Sequence, residues 1–165
     1  MTATYLKRFL IFCFVLTTTF AFAQKSKLYK NKSTEMRVKF PCNYTSSVTK
    51  KEYYTTYKMK CSTSDISYIA TVTAHKLKME AINKMIKVSL DAFTNSFKGA
   101  TTVYTKDWKV GKKTGTKRQL LYKGNLLNYY IIISKNKQYQ LIVFGDKNKS
   151  NEKVRDDFVK SFKIL

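Results

Sequence analysis

Residues 126–144 read LLNYYIIISKNKQYQLIVF. Two runs rich in β-branched and aromatic residues, 126–134 and 138–144, flank Lys135-Asn136-Lys137, which is tight-turn chemistry. The reading is a β-hairpin. These are the most apolar runs beyond the N-terminal segment, so they belong in the middle of a sheet. Gly124-Asn125 joins the hairpin in the same manner to a preceding strand over 116–123. A further strand over 101–110 carries the only tryptophan, Trp108, and a basic stretch bounded by Gly111 and Gly115 reads as the turn between the two.

Upstream, the period is again two. Met36, Val38 and Phe40 alternate with Arg37 and Lys39 until Pro41 ends the strand. Residues 53–61 alternate likewise, Ser62-Thr63-Ser64-Asp65 is turn-forming, and 67–75 (SYIATVTAH) reads as the next strand. The period then changes to three and four. Met79, Ile82, Met85, Ile86, Leu90, Phe93 and Phe97 form one stripe across 78–98, stopping before Gly99. That stripe predicts a long helix packed on the sheet. Ser150 opens a last helix to about Lys160 that buries Val154, Phe158 and Val159, and 161–165 extends again. Three strands, a long helix, four strands and a terminal helix define an α+β domain with a mostly antiparallel sheet of six to seven strands.

The chain has 165 residues, 44% hydrophobic and 15% aromatic, with one Pro and five Gly. That suffices for one domain with a real core and excludes collagen-like, linker-like and disordered classes. Charge is lopsided: 32 Lys and Arg stand against 10 Asp and Glu, a net +22. Such a field attracts polyanions and makes their association depend on salt.

The N-terminus reads as an address. Lys7 and Arg8 precede the apolar run FLIFCFVL at 9–16, and Ala21-Phe22-Ala23 places small residues where signal peptidase requires them. The apolar segment is shorter than the roughly 20 residues of a membrane span. The expected organisation is a removed signal peptide at 1–23, a basic flexible leader at 24–34, and a single domain at 35–165, exported to the periplasm or the medium. Cys13 leaves with the signal peptide, so Cys42 and Cys61 remain, and an oxidising compartment favours their pairing. Geometry opposes it if 36–42 and 53–61 are hairpin partners, because the thiols would then lie more than about 20 Å apart. A bridge requires those two strands not to pair with each other. No Cys-x-x-Cys redox motif occurs.

Catalytic inventory is thin. His75 is the only histidine, which leaves no two-histidine nuclease, zinc site or metalloprotease motif. No Gly-x-Ser-x-Gly occurs, and Gly111 to Gly115 lacks the Lys-Ser/Thr of a phosphate-binding loop. His75, at a strand end, reads as a solvated or capping residue, and the adjacent Asp156 and Asp157 as a solvated helix face. What stands out is basic: Lys109, Lys112, Lys113, Lys117 and Arg118 around one turn with Lys123 nearby, and Lys135 and Lys137 at another. Lys147, Lys149 and Lys153 gather before the last helix. Tyrosines interleave with lysines in YYTTYKMK at 53–60, a pattern suited to stacking on sugars or bases.

The order of these pieces resembles the PsbP-like superfamily, which includes the photosystem oxygen-evolving subunit, Mog-like Ran-binding proteins and many exported bacterial domains. The matching pieces are the strand ending Phe40-Pro41, YYTTYKMK with SYIATVTAH, the long helix, VGKKTGTKRQL at 110–120, YYIIISKNKQYQLIVFG at 129–145 and FVKSFKI at 158–164. Similar exported domains often carry Arg followed by an acidic residue after the glycine turn, whereas here Arg118 is followed by Gln119. The resemblance implies an α/β/α sandwich around an antiparallel sheet, and a non-catalytic binding or assembly role.

The functional expectation is therefore an exported domain without metal or cofactor. It engages an envelope protein, an anionic glycan or a lipid headgroup through the patch Lys109, Lys112, Lys113, Lys117, Arg118, Lys123, Lys135 and Lys137. An export signal argues against nucleic acid as the partner in vivo. The alternative is a small hydrolase or transferase that acts on an anionic polymer through His75 or dispersed carboxylates.

Overall fold

A computed structural model describes residues 26–76, 82–146 and 152–165. The expected signal peptide, the first turns of both expected helices, and Lys147 and Lys149 lie outside the described residues. The elements are β1 (Lys27–Asn31), β2 (Met36–Phe40), β3 (Thr45–Lys50), β4 (Tyr54–Ser62), β5 (Ile66–His75), α1 (Ile82–Asn95), β6 (Thr101–Val110), β7 (Lys113–Tyr122), β8 (Asn125–Ser134), β9 (Lys137–Asp146), α2 (Glu152–Lys160) and β10 (Lys163–Ile164). Seven strands form one sheet in the order β3-β4-β5-β9-β8-β7-β6, and β1-β2-β10 form a second, smaller sheet. Every pairing is antiparallel.

The β8–β9 hairpin turns where the sequence indicated, with Ser134 opposite Lys137 and Lys135 at φ 57°. It also lies centrally in the sheet. From Leu127 onward every residue of β8 is buried, because both faces of the strand are covered. On one face Tyr129, Ile131 and Ile133 receive Ile86 and Leu90 of α1, and Phe93 stacks on Tyr129 at 4.1 Å. On the other, Tyr130 and Ile132 join Tyr139, Leu141, Tyr68, Ala70 and Val72 beneath Met36, Val38 and Phe40 of β2 and Phe158 of α2. The layer opposite α1 is therefore mixed, a three-stranded sheet with a helix, where a helix layer alone was expected.

Two strands escaped the sequence reading. Residues 27–31, expected within a flexible leader, pair with β2 over five residues. Residues 45–50, expected within a loop, form β3 as the hairpin partner of β4 although all six are exposed. That second correction resolves the cysteine geometry. β2 does not pair with β4 but belongs to the small sheet. Cys42, just beyond its end, forms a disulfide with Cys61 of β4 at a Cα–Cα distance of 5.8 Å, and both residues are buried. The bridge thus ties the two sheets together.

Gly115 is also misplaced by the sequence reading. The turn is Gly111-Lys112, with Gly111 at φ 58°, and Gly115 lies inside β7 opposite Trp108. A Cβ there would run into the Ile131 main-chain oxygen and stand 2.7 Å from Ile132 Cβ, so only glycine fits this close approach.

Candidate functional site

The β6–β7 ribbon carries alternating residues to opposite faces of the large sheet. Lys106, Trp108 and Val110 face the same way as Lys117, Gly115 and Lys113, with which they are in register. On this face Trp108 packs edge-on to Tyr130 at 5.2 Å and at 5.4 Å from Phe162, which precedes β10. Between the ribbon, α2 and β10 runs an open groove of about 1110 Å³. Its floor is Trp108, Tyr130 and Phe162. Its rim holds seven lysines, Lys106, Lys109, Lys112, Lys113, Lys117, Lys160 and Lys163, against two carboxylates, Asp107 and Asp156.

Packing orders part of that rim. Lys117 Nζ lies 5.1 Å from the centre of the Tyr104 ring and 5.2 Å from that of Tyr130, and Lys106 lies 4.9 Å from Tyr104. Two ring faces hold Lys117 where a flexible stem would otherwise wander, which lowers the entropy lost when it meets an anion. Burial pushes the Tyr130 phenol well above its ordinary pKa, so it stays neutral beneath the lysines. A second cavity, of about 820 Å³, flanks the other side of α2 over Phe40, Tyr68 and Phe158. There Lys39 and Lys160 are matched by Asp65 and Asp157, so it lacks the charge bias of the first.

Of the residues singled out from sequence, Lys109, Lys112, Lys113 and Lys117 come together in the groove. Arg118 does not. It follows Lys117 and so points to the α1 face, where its guanidinium donates to Asp91 Oδ1 at 3.1 Å, Thr94 Oγ1 at 2.9 Å and Thr105 Oγ1 at 3.1 Å. Its side chain is only 15% exposed and fastens α1 to β7. Lys123 sits in the β7–β8 turn, at the far end of a ten-residue strand from Lys113, with its ammonium over Tyr122. That separation is about 30 Å. Lys135 and Lys137 lie 3.7 and 3.2 Å from the Glu35 carboxylate, which they hold below its ordinary pKa chiefly through the hydrogen bond from Lys137. Sequence reasoning missed Lys106, Lys160, Lys163, Tyr130 and Phe162 as members of one site. Lys106 and Lys117 could have been linked by strand alternation, but Lys160 to Lys163 arrive only through tertiary folding.

His75 is less solvated than expected. Its Nε2 is buried without a hydrogen-bond partner among the described residues, and its ring lies 6.1 Å from that of Tyr54, while its main chain bonds Asn136. Among the described residues no group of three or more His, Cys, Asp or Glu is placed to hold a metal ion, and no helix is long and apolar enough to cross a membrane.

The arrangement of a seven-stranded antiparallel sheet, a small accessory sheet and two helices is a PsbP-like fold. The solution structure of cyanobacterial PsbP (CyanoP) from Synechocystis sp. PCC 6803 is similar to this chain with a TM-score of 0.62, at 8% sequence identity, over 86% of this chain and 94% of that one. Likeness at that identity is one of fold. No protein-family model matches the sequence, and no curated protein matches it.

Proposed function

We propose that this is an exported, non-catalytic accessory domain that binds an anionic partner at the cell envelope through the groove between β6–β7 and α2–β10. The observation that carries the reading is the lysine excess around an aromatic floor: seven ammonium groups and two carboxylates border Trp108, Tyr130 and Phe162. Lysines rimming a low-dielectric concavity focus a positive field into it and raise the local concentration of anions. The buried Cys42–Cys61 bridge supports an oxidising compartment, where such bonds persist. The signal peptide at 1–23 belongs to the same reading. Lys109, Lys112, Lys113 and Lys117 are the binding residues proposed here. Lys135 and Lys137, already committed to Glu35, serve the fold, as does Arg118.

Capture from envelope extract tests this. Wild-type protein should retain a defined partner that the Lys109→Glu/Lys112→Glu/Lys113→Glu variant releases, with retention falling as salt rises. Equal capture by the two proteins would overturn the assignment.

A further inference from the structure

Five consecutive residues of β6, Lys106 to Val110, border the groove. Successive side chains of a strand point to opposite faces. A groove confined to one face of the sheet would meet only alternate side chains. Lys117 of β7 and Tyr130 of β8 put this one on the face, and contact with all five residues of β6 carries it over the outer edge of that strand, away from β7, its one neighbour among the described residues. Across the groove the same is true of Phe162, Lys163 and Ile164. β10 is an outer strand of the small sheet, paired among the described residues with β2 alone. Two strand edges, with main-chain donors and acceptors outside either ladder, thus flank one lysine-rimmed channel.

Such an edge recognises extended polypeptide. Main-chain hydrogen bonds supply affinity and alternate side chains supply specificity. We infer that the groove receives an extended acidic segment of a partner protein, which pairs edge-on with β6 while its alternate carboxylates meet the lysines. The inference rests on the anionic-partner reading above and names the partner's chemistry. Lysine on an edge strand repels neutral and basic strands from pairing, so β6 selects by sign. A second copy of this chain, at net +22, carries the wrong sign, as does its own segment 24–34 with four lysines. An anionic polysaccharide could use the lysines and Trp108 but would leave both strand edges unused.

Trp108 is the only tryptophan in the chain, so its emission reports on the groove alone. The full-length protein is titrated with three probes: a ten-residue peptide alternating Glu and Thr, the same peptide N-methylated at alternate amides, and polygalacturonate. The alternating peptide is expected to bind saturably with a shift of Trp108 emission. The N-methylated peptide should bind about tenfold more weakly, because net main-chain hydrogen bonds are lost at unchanged charge. Equal affinity for the two peptides would overturn strand pairing and leave the anion-binding groove standing. Tighter binding of polygalacturonate than of the peptide would overturn the polypeptide assignment in favour of a glycan. Failure of all three probes at low salt would overturn the groove reading as well.

Discussion

The indole of Trp108 packs 5.4 Å from the ring of Phe162, joining the outer ribbon of the large sheet to the segment that leads into the C-terminal strand of the small one. Gly115 makes that contact feasible. It is the register partner of Trp108 and has no side chain to lift the ribbon from Ile132. Gly115→Ala should cost about 1–3 kcal/mol, the range for overpacking against atoms that cannot move aside. Denaturant midpoints of the two proteins check this, and Trp108 emission should shift in the folded variant. An unchanged midpoint would mean that the ribbon is not held against β8 as described.

The Cys42–Cys61 bridge spans 19 residues and connects the two sheets. In the chain-entropy view, closing such a loop stabilises by about 3 kcal/mol. Reduction, or the Cys42→Ala/Cys61→Ala variant, should lower stability by that order. Oxidised and reduced protein unfolding at the same denaturant concentration would contradict it.

Lys117 and Arg118 are chain neighbours on opposite faces of β7. Arg118→Gln should lower the melting temperature by a few degrees, since it breaks hydrogen bonds to Asp91, Thr94 and Thr105. It should leave polyanion binding intact. Lys117→Gln should weaken binding by a few-fold with little change in melting. Calorimetry and a binding titration on both variants separate the two roles, and a reversed pattern would refute the face assignment.

Glu35 and Asp91 both have pKa values lowered below the ordinary carboxylate range. For Glu35 the first cause is the hydrogen bond from Lys137, and for Asp91 the one from Lys87. The folded protein thus binds these protons less readily than the unfolded chain. The stabilising contribution is complete above the unfolded-state values near pH 4 and is lost as pH falls through the folded ones. Both carboxylates face solvent, so the effect is modest and screened by salt. Glu35→Gln should flatten the decline of the unfolding midpoint from about pH 5 downward. An unchanged acid slope would show that the Lys135 and Lys137 contacts do not persist in solution.

Local pattern made the central elements legible. β8 and β9 announce themselves by apolar run length, and α1 by the four- and three-residue steps of Ile86, Leu90 and Phe93, although the helix ends at Asn95, before the Phe97 that the stripe included. β1 and β3 left little pattern because edge strands with polar side chains bury little; Lys27–Asn31 and Thr45–Lys50 are ordered by pairing with β2 and β4. Grouping lysines by proximity in sequence placed four residues in the groove. It failed for Arg118, whose strand parity already pointed away from Lys117, and for Lys123, a full strand length distant. Lys160 and Lys163 were beyond the reach of local reasoning, since they meet β6 across more than fifty residues of chain.

On the proposed reading, positive charge in the groove drives adhesion. Affinity for polyglutamate, read by Trp108 emission at a series of salt concentrations for the wild type and for Lys112→Glu/Lys113→Glu, tests it. Both residues are exposed at the β6–β7 turn, so folding should survive the change. For the wild type, log affinity should fall linearly with log salt. The variant should show weaker binding and a shallower slope. Binding that is indifferent to salt, or identical slopes for the two proteins, would contradict it.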